Sequence, residues 1–207
     1  MNAVVSPPVL LALDWGTSSL RAFLMRDGEV IETRQSAHGI QHLPQPGTPG
    51  YEQAFAEIAG DWVRQWPDLP IVACGMVGSA QGWKEAPYVR CPADIKTLAG
   101  KSVAVPSGLG PDILIAPGVL FDDPGELPDV MRGEEIQIAG ALLQNPAWAA
   151  RSCMLLAVAG CHDNPLSLFN TCCNVPTGTR CRTVPQSPKS LCSACSITLP
   201  DPPASLL

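Results

Sequence analysis

The first 35 residues constrain the fold of this chain more than any other feature, because they hold three strand-like runs joined by two tight turns. Val9–Leu13 is an unbroken apolar run closed by Asp14, Ser19–Met25 alternates loosely, and Glu29–Gln35 follows the dipeptide Asp27-Gly28. A short apolar run of that kind reads as a buried strand. Asp-Gly between two such runs signals a hairpin, since both positions tolerate positive φ. The chain therefore predicts an opening β-meander whose first turn is Trp15-Gly16-Thr17-Ser18. Tyr51–Trp66 places Phe55, Ile58, Ala59, Trp62, Val63 and Trp66 at helical spacing, and Pro67 ends the run. Leu69–Cys74 and Ile113–Ala116 read as further strands, and Glu134–Leu143 as a second helix behind Gly133. Strands first, then strands alternating with helices, predicts an α/β domain with a mixed sheet.

Composition divides the chain near residue 150. Residues 1–150 hold 17 of the 19 acidic residues, and only Asp163 and Asp201 lie beyond. Seven of the nine cysteines fall after residue 150, with seven prolines and seven serines but two glycines. From Asn170 onward no sustained helical or strand period is found. We therefore expect one domain over 1–150 and an atypical Cys/Ser/Pro-rich tail over 151–207. That tail is read as disordered or as out-of-frame sequence. The net charge of −6 argues against a nucleic-acid partner, which calls for a basic face. With no run of eighteen apolar residues and no basic leader before Val9, no membrane partner is expected and the chain is read as cytoplasmic. The three histidines form no ligand pattern, and Cys192-Ser193-Ala194-Cys195 supplies half of a zinc site at most.

The chemistry concentrates in Asp14-Trp15-Gly16-Thr17-Ser18-Ser19. A tight turn rich in Gly, Thr and Ser can present backbone N–H groups and hydroxyls to one anion. Gly16 has no Cβ to keep a phosphate oxygen at a distance, and Asp14 at the end of its strand can hold Mg²⁺ directly or through water. Arg21, two residues past the turn, can point the same way. Asp14 and Thr17 could equally form an ordinary Asx turn at a hairpin, so this motif alone leaves both readings open.

Three ordered blocks extend the pattern. Asp14-x-Gly16-Thr17-Ser18 between two strands resembles the first phosphate motif of the superfamily that holds sugar kinases, hexokinase, heat-shock protein 70 and actin. Ala73-Cys74-Gly75-Met76-Val77-Gly78-Ser79-Ala80-Gln81-Gly82-Trp83-Lys84-Glu85-Ala86-Pro87-Tyr88-Val89, continued by Cys91-Pro92-Ala93, resembles the 2-dehydro-3-deoxygalactonokinases. So does Pro128-Asp129-Val130-Met131-Arg132-Gly133-Glu134-Glu135-Ile136-Gln137-Ile138-Ala139-Gly140-Ala141-Leu142. The resemblance covers about residues 9–143.

That resemblance implies the mixed-sheet N-terminal lobe of the actin-like ATPase (ribonuclease H-like) fold, without a counterpart for the second lobe's phosphate turn after residue 143. It also implies a kinase using ATP and Mg²⁺ to phosphorylate the terminal hydroxyl of 2-dehydro-3-deoxy-galactonate. A related kinase of another sugar, or a lobe that binds the sugar acid without turnover, remains open. On this reading Asp14 and Arg21 are catalytic, with Asp14 also the metal ligand. Gly16, Thr17, Ser18 and Ser19 receive the nucleotide phosphates. Ser79, Gln81, Trp83, Arg132 and Glu134 face the sugar acid: Gln81 donates and accepts, Trp83 covers an apolar sugar face, and Arg132 beside a helix N-terminus favours an anion. Ordinary alternatives are core packing for Trp83 and helix-dipole pairing for Glu134 and Glu135. The partners are then a sugar acid and a nucleotide, and the sequence leaves oligomeric state open.

Overall fold

A computed structural model of the chain describes residues 7–122, 124, 128–144 and 197–198. The opening meander is present as β1 (Leu10–Trp15), β2 (Leu20–Arg26) and β3 (Glu29–Ser36), paired antiparallel in sequence order. Asp27 and Gly28 take φ of 51° and 81°, the positive values the two-residue hairpin needs. Helix α1 (Thr48–Gln65) follows, with Pro49 in its first turn. β4 (Ile71–Cys74) then runs parallel to β1, and β8 (Asp112–Ile115) runs parallel to β4. β7 (Val103–Pro106) closes the edge antiparallel to β8. The strand order β3-β2-β1-β4-β8-β7 is the expected mixed sheet, built as a single lobe.

One face of that sheet makes the core. Leu11, Leu13, Trp15, Leu20, Ala22, Leu24, Ile71, Ala73, Ile113 and Ile115 alternate inward and meet Ala54, Phe55, Ile58, Ala59, Trp62 and Val63 of α1. Each large side chain so buried is worth roughly 1.5–3 kcal/mol over its exposed state. Arg34 ties the outer edge to α1. Its guanidinium stacks on the Trp62 ring at 3.8 Å and binds Asp61 at 2.5 Å and the Ile58 carbonyl at 3.0 Å.

The segment between β4 and β8 departs from the sequence expectation. It folds into a 3-10 turn (Met76–Gly78), β5 (Tyr88–Arg90), β6 (Ala93–Asp94) and the short helix α2 (Ile95–Gly100). β9 (Gly118–Phe121) joins β5 and β10 (Asp129–Met131) in a second sheet of order β10-β9-β5. These strands are two to four residues long, too short to show a period. Their small core is Val89, Ala93, Leu98 and Val119. α3 (Glu134–Gln144) follows β10 directly. Beyond it, Ile197–Thr198 form β11, parallel to β6. Apart from that pair, the tail expected to be disordered lies outside the described residues, as do His162 and the tail cysteines. Among the described residues no helix is long and apolar enough to cross a membrane.

Candidate active site

The turn after β1 is set by its own backbone: the Gly16 N–H donates to the Ser19 carbonyl at 2.9 Å. Thr17 and Ser18 project at its tip and are exposed. A second segment, the loop between β3 and α1, lies against the turn. Ile40 N–H donates to the Gly16 carbonyl at 3.0 Å and Gln41 N–H to the Thr17 carbonyl at 3.1 Å. Trp15 Nε1 donates to the His38 carbonyl at 2.8 Å. The approach is close enough that a Cβ on Gly39 would lie 2.4 Å from the Thr17 carbonyl oxygen and the Ser19 nitrogen. The turn is thus held from outside, while the N–H groups of Thr17 and Ser18 take part in none of its loop hydrogen bonds. Ser18 and Ser19 also line a shallow depression with Gln35, Ser36 and Ala37.

Asp14 stands directly opposite Arg21 in the β1–β2 register, and Arg21 Nη2 donates to Asp14 Oδ2. The pairing of β1 with β4 puts Asp14 beside Cys74, and hence beside Gly75. Gly75 has φ of 95°, and a Cβ there would sit 2.8 Å from the Trp15 carbonyl and 3.5 Å from Asp14 Oδ1. Gly133, with φ of 115°, comes from the other side: its Cβ would lie 3.2 Å from Gly75 Cα. Three chain segments distant in sequence therefore meet at Asp14, and glycines let their backbones come this close.

The first turn of α3 brings two carboxylates to this junction. Glu134 Oε2 accepts from Arg132 N–H at 3.1 Å, and Glu135 Oε2 accepts from Gly133 N–H at 2.6 Å. Both acids thus satisfy backbone donors at the helix start, as the ordinary reading of first-turn acids expected. Glu135 goes further. Its side chain is fully buried, Oε1 has no hydrogen-bond partner, and burial raises its pKa to about 7. Burial likewise pushes the Cys74 thiol well up, helped by the negative charges of Asp14 and Glu135. Nothing in the sequence separates Glu135 from Glu134 as a site residue; its burial and its unpartnered Oε1 do.

The loop after β4 is equally constrained. Trp83 N–H donates to the Val77 carbonyl and Ala86 N–H to the Gly78 carbonyl, each at 2.9 Å. Gly82 packs so tightly that a Cβ would lie 2.1 Å from the Val77 carbonyl. Ser79 spends its hydroxyl on the Met76 carbonyl at 2.8 Å. Trp83 lies against the core, stacked on Tyr51 at 5.4 Å and edge-on to Trp15 at 5.9 Å. The guanidinium of Arg132 lies over the Tyr88 ring at 4.2 Å and donates to the Ala86 carbonyl at 2.9 Å. Its Nη1 is buried without a partner. Of the residues assigned to the sugar acid, Gln81 alone is exposed with its side-chain amide free of the protein. The structure therefore gathers Asp14, Arg21 and the Gly16–Ser19 turn at one place. It sets Arg132, Trp83 and Ser79 into the framework beside it.

This geometry coincides with a known family. The family model described as 2-keto-3-deoxy-galactonokinase matches residues 14–163. A Rhizobium meliloti (strain 1021) protein described as 2-dehydro-3-deoxygalactonokinase DgoK1 is 40% identical over 148 residues, covering 69% of this chain and 45% of that protein. The Escherichia coli (strain K12) 2-dehydro-3-deoxygalactonokinase is 37% identical over 137 residues, covering 66% of this chain and 44% of its own length. Among solved structures, a Sinorhizobium meliloti protein described as a 2-dehydro-3-deoxygalactonokinase superposes with a TM-score of 0.51 at 37% identity, over 65% of this chain and 42% of that one. The chain spans a little under half the length of the curated relatives it matches. With its three motif blocks gathered around Asp14 and a family match over most of its length, the chain belongs to the 2-keto-3-deoxy-galactonokinase family.

Proposed function

We propose that this chain is the phosphate- and acceptor-binding lobe of a cytoplasmic kinase. The reaction is transfer of the γ-phosphoryl group of ATP, with Mg²⁺, to the terminal hydroxyl of 2-dehydro-3-deoxy-galactonate. The supporting observation is the glycine-lined junction at Asp14, beside a turn whose tip N–H groups and hydroxyls are uncommitted.

The donor set suits Mg²⁺, which takes one or two carboxylates and leaves its other positions to phosphate oxygens and water. Asp14 would hold the ion through Oδ1, the carboxylate oxygen that Arg21 does not take. Bound there, the ion would neutralise charge building on the phosphates. Arg21 fixes the Asp14 carboxylate by taking its other oxygen. The N–H groups of Thr17 and Ser18, on exposed residues and outside the turn's loop hydrogen bonds, would serve as donors to phosphate oxygens, so little reorganisation is needed as charge moves. The hydrogen bonds from Ile40 and Gln41 hold the turn in that shape.

The test is release of ADP by the purified chain, measured with and without the sugar acid. Sugar-acid-dependent release carries the proposal. Turnover on another sugar instead would reassign the substrate. Binding of the sugar acid by calorimetry with ADP release at background would select the non-catalytic reading.

A further inference from the structure

A groove of about 470 Å³ lies between the β3–α1 loop and the loop after β4, lined by Gln41, Leu43, Gln45, Tyr51, Gln81 and Gly82 among others. Resting on the kinase reading above, we infer that this groove is the subsite for the uncharged, hydroxyl-bearing part of the acceptor, read by the side-chain amides of Gln41, Gln45 and Gln81.

Position is the first argument. The loop forming one wall is the loop that clamps the phosphate turn, through Ile40 and Gln41 N–H. Gln41 therefore bonds the turn through its backbone and also lines the groove. An acceptor hydroxyl must lie beside the phosphorus that it attacks, and one wall of this groove is the loop bonded to the phosphate turn.

Chemistry is the second. Among the described residues no charged side chain lines the groove. An amide donates and accepts together, as a sugar hydroxyl does, so three amides suit vicinal hydroxyls and offer nothing special to a carboxylate. Among the described residues the side-chain amides of Gln41 and Gln81 have no hydrogen-bond partner. Gln45 Nε2 donates to Gln53 Oε1 at 3.0 Å and to the Pro49 carbonyl at 3.5 Å, which leaves Gln45 to serve as an acceptor. The acid's carboxylate thus lies outside the groove.

Rigidity is the third. Tyr51 is buried beneath the groove and its hydroxyl donates to the Gln81 carbonyl at 3.3 Å, which fixes that residue's backbone. On the opposite wall the Gln45 carbonyl crosses Gly50 so closely that a Cβ there would lie 1.8 Å away. Pro44 and Pro46 stiffen the same wall. The three amides are therefore held on two fixed walls rather than on mobile chain.

The experiment is titration calorimetry on the full chain with Gln41→Leu, Gln81→Leu and the double variant. The probes are 2-dehydro-3-deoxygalactonate, its neutral carboxamide and MgATP. Both substitutions are at exposed, unpartnered side chains, so an unchanged melting temperature is expected and checks folding. Each single variant should raise the Kd of the sugar acid about tenfold, and of the carboxamide by the same factor, with MgATP unchanged. Sugar-acid binding equal in wild type and all variants would overturn the groove and leave the proposed activity standing. If wild type ignores the sugar acid but binds a neutral hexose, and the variants weaken that, the groove stands and the substrate falls. No saturable binding of either at millimolar concentration would overturn both.

Discussion

Asp14 and Arg21 are cross-strand partners: they face each other directly in the β1–β2 register, and the guanidinium takes one carboxylate oxygen while the other faces Gly75. The two side chains keep 26% and 23% of their surface in water, and a pair so reached by solvent adds little to stability, about 0–1 kcal/mol. Its use is to aim a carboxylate at the junction. Asp14→Asn should therefore leave thermal unfolding almost unchanged while weakening Mg²⁺-dependent ATP binding at least tenfold, and turnover by orders of magnitude in any active form. Calorimetry with ATP, with and without Mg²⁺, checks this; a variant binding MgATP like wild type would remove Asp14 from the site.

Gly39→Ala should dislodge the loop that holds the phosphate turn. The added methyl would meet backbone atoms at 2.4 Å, which no side-chain rotation relieves. A loss of about 1–3 kcal/mol is expected, with weaker MgATP binding. Gly100→Ala is the control, because nothing lies within 4 Å of its Cβ and its φ is ordinary; denaturant unfolding should find it neutral or slightly stabilised.

Glu135 makes stability depend on pH in a set direction. Its folded pKa is raised from 4.5 to about 7 by burial, so the folded state holds a proton that the unfolded chain releases earlier. The associated stability is fully present below about 4.5 and is lost as pH rises through about 7. Glu135→Gln keeps an acceptor for Gly133 N–H and never ionises. It should be more stable than wild type above pH 7, by about 1–3 kcal/mol, with the gap closing towards pH 4.5. Urea unfolding of both proteins across that range measures the difference; a gap independent of pH would contradict it.

Arg132→Lys should act through the framework. The guanidinium lies over Tyr88 and donates to the Ala86 carbonyl, and an ammonium keeps neither plane nor fork. A loss of about 1–2 kcal/mol is expected from the hydrogen bond and the ring contact together. Unchanged thermal unfolding would show that the clamp carries no weight.

Much of this was legible in the chain. The three opening strands, the Asp27-Gly28 turn and α1 follow from hydrophobic period and turn chemistry, which act between neighbours, so the expected bounds fall within a few residues of those found. The phosphate turn could be read for the same reason, since Asp14 to Ser19 is one contiguous piece.

Partnership across the chain could not be read that way. The parallel pairing of β1 with β4 brings Gly75 to Asp14, and the start of α3 sets Gly133 on Gly75. Burial separates Glu135 from its exposed-looking neighbour Glu134, and packing on Trp15 and Tyr51 turns Trp83 inward. Gln41 and Gln45 carry no local signal; they matter because their loop crosses the phosphate turn and faces Gln81. The sequence by itself determined the elements and the phosphate turn, because propensity, period and turn geometry depend on residues a few places apart. The tertiary structure alone decided which glycines touch, which carboxylate is desolvated and which amides share a groove, because those depend on segments brought together from 30 to 120 residues away.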